Sequence, residues 1–115
     1  MVKITVVIKS EPYSDESAYT GLKFIKSALE NGHSVDVFLV QSGVFCALSR
    51  QSPNNMPNLY ELLESVISGG ARVVYCGTCV KSRGIDATMI HPDAEIGSMP
   101  MFVEMVTSSD SSISF

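Results

Sequence analysis

Apolar residues fall into short runs along the chain, separated by polar or glycine-bearing segments. Val2, Ile4, Val6, Val7 and Ile8 form a nearly unbroken β-branched run with little alternation, the pattern of a strand covered on both faces. The segment that follows, Ser10 through Ser14, is polar and holds Pro12, and Ser14 or Asp15 can accept a hydrogen bond from an amide at the start of a helix. Ala18, Leu22, Ile25 and Leu29 then recur at four- and three-residue steps, which gives one apolar stripe, and Asn31-Gly32 supplies a left-handed exit. Val35, Val37, Phe38, Leu39 and Val40 make a second buried strand, after which Gln41-Ser42-Gly43 turns into a short apolar helix with Phe45, Ala47 and Leu48. Residues 51–57 carry two prolines and read as a loop, where mobility is expected to concentrate.

Asn58 followed by Glu61 has the spacing of a capping box, with Leu59, Leu62, Leu63 and Val66 as the core face of a helix that stops at Gly69-Gly70. Residues 71–76 form a third strand, which Gly77 ends. The stretch beyond has no periodicity until Ser98, which is expected to cap a helix with Pro100 in its first turn and Phe102, Val103 and Val106 on one side. Met99, Met101 and Met105 are expected to fill a helix interface, and residues 111–115 alternate weakly as a last strand. Strands alternating with helices predict an α/β fold, a three-layer sandwich around a mostly parallel sheet of about five strands, because a parallel pairing needs a crossover and a helix supplies it. In such sheets ligands bind at the carboxyl ends of the strands. That rule selects residues 10–15, 41–45 and 77–83, with Tyr13, Ser14, Ser42 and Gly43 as pocket candidates.

Length changes the picture in one respect: 115 residues fit a single domain, 1–115, large enough to fold without disulfides or a structural metal. Three cysteines are therefore free for other uses. The apolar share of 45% against 17% charged residues, with a mean hydropathy of +0.22, exceeds what a solvated monomer needs and predicts a homo-oligomer. A net charge of −4 without a basic cluster argues against nucleic acid. The opening apolar run is too short for an export signal and no segment is long enough for a membrane span, so a cytoplasmic protein with reduced thiols is expected.

Cys76-Gly77-Thr78-Cys79-Val80-Lys81-Ser82-Arg83-Gly84 is the stretch richest in chemistry. Cys76 still belongs to the strand, whereas Cys79 lies past the glycine where backbone amides turn outward. Lys81 and Arg83 lie within a few residues, and cations with oriented amides favour thiolate over thiol. Cys79 is thus the candidate nucleophile; the plain alternative is a small packed residue near a surface lysine. A thioredoxin-like dithiol would place both cysteines at the start of one helix, and the strand reading puts Cys76 at a strand end instead. Zinc needs four ligands and the C-x-x-C supplies two, leaving Cys46, His33 and His91 at scattered positions, so no metal is expected. Ser42-Gly43 alone is too little for a phosphate cradle.

The exit Pro12-Tyr13-Ser14-Asp15-Glu16-Ser17, the cysteine followed by Arg83-Gly84-Ile85, and the ending from Glu95-Ile96-Gly97-Ser98 to Ile113-Ser114-Phe115 resemble the DsrE/DsrF-like family, closest to its YchN branch. The resemblance implies a compact domain assembling into trimers or hexamers and a role in sulfur relay. Family members carry sulfur as a persulfide on a cysteine that matches Cys79, so Cys79 is the implied acceptor. Cys76, Gly77, Thr78, Lys81, Arg83 and Gly84 form the supporting loop. Partners would be thiol or persulfide proteins, with no organic cofactor. The competing expectation is a non-catalytic oligomeric module that binds a small ligand or protein, with Cys76 and Cys79 structural or redox-active.

Overall fold

The strand sequences alternate in a way that divides their side chains between two layers. In β2 (Ser34–Leu39), Val35, Val37 and Leu39 point to one face, and Asp36 and Phe38 to the other. The computed structural model describes residues 1–115 and joins β1 (Lys3–Ile8), β2, β3 (Arg72–Cys76), β4 (Glu95–Gly97) and β5 (Ser111–Ser114) in one sheet of order β4-β3-β2-β1-β5. Every adjacent pair is parallel. The chain steps from β1 to β4 in one direction and returns past β1 to lay down β5. Right-handed crossovers then put the last helix on the opposite face from the earlier ones.

The packing follows that rule. Helices α1 (Ser17–Glu30), α2 (Leu59–Ser68) and α3 (Gly77–Ser82) share a core of 21 buried residues with one face of the sheet, among them Leu22, Ile25, Leu59, Leu63, Val66 and Val80. Helix α4 (Met99–Thr107) covers the other face with a core of only three, Phe38, Val74 and Met105. Phe102 stacks on Phe38 at 4.3 Å between ring centroids. That contact contributes about 1 kcal/mol beyond the area it buries. The second layer is therefore thin, and much of its outer surface stays apolar: Met99, Val103 and Val106 are 64%, 54% and 36% exposed.

Several expectations are refined. Asp15 does accept an amide, from Ser17 at 2.8 Å, but the residue preceding α1 is Glu16, whose side chain makes no cap. Asn58 caps α2 by accepting from the Glu61 amide at 3.1 Å. Ser98 precedes α4 without a side-chain cap. Phe102, Val103 and Val106 do not share a side: Phe102 faces the sheet while Val103 and Val106 are exposed, since neighbouring helical residues are about 100° apart. Of the three methionines only Met105 is buried, and Met99 points outward. Gly77 ends β3 and at once begins α3, a helix the sequence pattern did not reveal. The aperiodic stretch holds a 3-10 turn, Ala87–Met89, and the edge strand β4. Arg72 Nε sits 2.9 Å from Glu95 Oε2, but both side chains are near half exposed. Such a pair contributes at most about 1 kcal/mol, so the β3–β4 ladder is the main tie.

Candidate functional site

Three chain segments meet at the carboxyl edge of the sheet, and a glycine makes the meeting possible. A 3-10 turn, Gln41–Ala47, leaves β2 and folds over the end of β1. The Ile8 carbonyl accepts the Val40 amide at 3.0 Å, and a Cβ on Gly43 would lie 1.9 Å from that same oxygen. Only glycine leaves space for this approach. The turn begins at Gln41, which takes a left-handed φ of 53° that costs a residue with a side chain about 1–2 kcal/mol. In that conformation the Gln41 N–H donates to Cys79 Sγ at 3.1 Å.

Cys79 itself is placed by α3. Cys76 has extended backbone angles and its Sγ accepts the Cys79 amide at 3.2 Å, so a cysteine does the work usually given to serine or aspartate at a helix start. Gly84, at φ 66°, closes the other end: the Ile85 amide returns to the Val80 carbonyl at 2.9 Å and the Gly84 amide to the Lys81 carbonyl at 3.1 Å. Cys79 thus stands in the first turn of a short helix, half-buried, with its sulfur turned toward the end of β2.

The three thiols have different surroundings. Burial pushes the Cys46 thiol up to about 12 and leaves it inert. Partial burial, with the Cys79 side chain beside it, also pushes the Cys76 thiol up. Arg83 does not reach the sulfur: its Nη1 donates to the Cys79 carbonyl at 3.2 Å, which steadies the helix. Lys81 and Thr78 are exposed. No three His, Cys, Asp or Glu side chains gather as metal ligands. His33 Nδ1 accepts the Val2 amide at 3.2 Å, and His91 Nε2 faces Glu64 at 3.4 Å.

A family model for the DsrE/DsrF-like family matches residues 2–115. The chain belongs to that family. A crystal structure of YchN from Escherichia coli superposes with a TM-score of 0.91 at 28% identity, each chain covered completely. This DsrE/DsrF-like chain is also 43% identical over 112 residues to an uncharacterized protein of Methanopyrus kandleri, covering 97% of this chain and 93% of the other. A more distant relative from Allochromatium vinosum, named "Putative sulfurtransferase DsrE", is 27% identical over 134 residues and covers 99% and 98%.

Residues 41–45 and 77–83 come together through the Gln41–Cys79 contact, and Gly43 ties the first of them to β1. Tyr13 is at a different place. Its hydroxyl bonds the Gln51 side-chain oxygen and accepts the Leu59 amide at 3.0 Å. Gln51 Nε2 in turn donates to the carbonyls of Phe45, Cys46 and Leu48, which pins the entry to residues 51–57. Tyr13 lines a cleft of about 330 Å³ with Pro12, Phe45 and Arg50, and Cys79 is not part of its lining. Ser14 is exposed, Ser42 half-buried and Gly43 buried, and none of the three lines this cleft. Sequence reasoning selected residues 41–45 but did not single out the Gln41 amide, because a backbone donor leaves no trace in residue type; the one available signal was its place at a strand exit two residues before a glycine.

Proposed function

We propose that this protein is a sulfur-relay carrier that accepts sulfane sulfur as a persulfide on Cys79 and hands it to a partner's thiol. The observation that carries the reading is the Gln41 amide held on Cys79 Sγ at 3.1 Å at the carboxyl edge of a parallel sheet. In the loading step the Cys79 thiolate attacks the terminal sulfur of a donor persulfide. A new S–S bond forms, the donor's S–S bond breaks, and the donor leaves as a thiolate with the electron pair. Discharge repeats the exchange with an acceptor thiolate. The name of the Allochromatium vinosum relative supports a sulfur-transfer chemistry of this class. No helix is long and apolar enough to cross a membrane, and a reducing cytoplasm would keep the three thiols free for exchange.

Incubation with a sulfane donor and intact mass measurement at the earliest times should show one added sulfur atom on the wild type and none on Cys79→Ser. Equal addition to both proteins, or none to either, rejects the carrier role.

We also propose that copies of this chain assemble through the outer face of α4. Met99, Val103 and Val106 recur at i, i+4 and i+7, an apolar stripe that is 64%, 54% and 36% exposed. Light scattering on eluting protein should give a multimer, trimer or hexamer, that Val103→Glu shifts toward the monomer; a wild type of monomer mass contradicts the assembly.

A further inference from the structure

The two cysteines of the C-x-x-C stand in a relation that the strand assignment of Cys76 alone did not suggest. Cys76 is at once the last residue of β3 and the residue that caps α3, and Cys79 is the third residue of that helix. Both cysteines therefore stand at the start of one helix. Cys76 is at a strand end, as its sequence position predicts, and it also caps the helix that carries Cys79. The Cys79 amide donates to Cys76 Sγ at 3.2 Å, so the Cys76 side chain already folds over the turn that carries Cys79. A disulfide needs the two β carbons about 3.5–4.5 Å apart, and the Cys76 side chain already reaches back to the backbone of Cys79.

We propose that Cys76 is a resolving cysteine that discharges a Cys79 persulfide by expelling its sulfane sulfur as hydrosulfide and closing a Cys76–Cys79 disulfide. This step rests on the carrier reading and adds to it a route that needs no acceptor protein. The bonds balance as follows. Cys76 Sγ attacks Cys79 Sγ, the Cys76–Cys79 bond forms, and the bond from Cys79 Sγ to the sulfane sulfur breaks. The sulfane sulfur leaves with that electron pair and takes up the Cys76 thiol proton. It is thereby reduced to the level of sulfide while the two cysteines are oxidised to a disulfide. An external dithiol reductant, the co-reactant this step requires, returns both thiols and resets the site.

The environment assigns the order of events. Partial burial and the adjacent Cys79 side chain push the Cys76 thiol up, so Cys76 keeps its proton and does not compete with Cys79 for incoming sulfur. Both cysteines are half-buried, and Cys76 packs against the small core of Phe38, Val74 and Met105 beneath α4. Cys46 takes no part, being fully buried.

The test uses wild type and Cys76→Ser, a substitution that keeps an oxygen acceptor for the Cys79 amide and so preserves the helix start. Each protein is loaded with a sulfane donor, freed of excess donor, and followed by intact mass and by trapping of released sulfide. The wild type should lose its added sulfur, release a stoichiometric amount of sulfide and end two hydrogens lighter than the reduced chain. Cys76→Ser should keep its sulfur. Wild type and variant that hold the sulfur equally, with no sulfide released and no loss of hydrogens, overturn the resolving role while leaving the carrier role intact. Failure of both proteins to load overturns the carrier reading and this step with it. As an independent readout, glutathione redox buffers should drive the unloaded wild type into a disulfide that maps to Cys76 and Cys79; a pair that stays reduced up to strongly oxidising mixtures also refutes the step.

Discussion

Gly43→Ala should destabilise the protein by about 3 kcal/mol, the upper end of what forced overpacking costs, and should slow sulfur loading at Cys79. The cause is space. The added methyl would lie 1.9 Å from the Ile8 carbonyl oxygen and 2.6 Å from its carbon, and both are backbone atoms that cannot rotate away. Ile8 is fully buried, and its carbonyl is already fixed by the Val40 amide at 3.0 Å. Relief must come from moving the turn, and Gln41 is two residues away, so its amide would leave Cys79. Gly32→Ala is the control. Gly32 has φ 86° with nothing within 4 Å of its would-be Cβ, so alanine there meets only the backbone penalty of about 1–2 kcal/mol and leaves the site alone. Urea unfolding of the two variants should rank Gly43→Ala as the more damaging by a clear margin. Equal midpoints, or unchanged Cys79 reactivity in Gly43→Ala, contradict this account of the turn.

The long elements were legible because their apolar residues repeat often enough to define a period. Ala18, Leu22 and Ile25 on α1, and Leu59, Leu63 and Val66 on α2, are buried as their spacing predicts. The runs in β1, β2 and β3 mark strands covered on both faces, and each is central to the sheet or flanked on both sides. The elements that carried no period were not legible. Helix α3 has six residues, fewer than two turns, and its start is capped by a cysteine that reads as the end of a strand. Strand β4 has three residues paired to β3 alone, and only Gly97 hints at close approach, with Val74 Cγ1 at 2.3 Å from a would-be Cβ.

Cys79 as the candidate centre was legible from its place after a strand and a glycine. Its neighbours were less so. Lys81 and Arg83 are close in sequence, yet Arg83 reaches the Cys79 carbonyl, and the group on the sulfur is the amide of Gln41, thirty-eight residues away in sequence. Tyr13 was chosen for its position at a strand exit and joins instead a polar clip with Gln51 and the start of α2. Proximity along the chain says little about which donor a fold turns toward an atom.

The claim on which the rest depends is that Cys79 is the reactive nucleophile among three unequal thiols. Site-resolved alkylation of the native protein with iodoacetamide near neutral pH tests it most directly. A rise from an ordinary 9.0 to about 12 lowers the thiolate share of Cys46 about a thousandfold, and burial blocks the reagent as well. Raising the pH should not recruit Cys46 until it nears that value or the protein unfolds. Cys76 should react slowly, because burial and the neighbouring sulfur hold its proton. Cys79 should react first and faster than a model thiol, with Cys46 unlabelled after Cys79 is complete. A Cys79 that labels no faster than a model thiol, or no sooner than Cys46, contradicts the account.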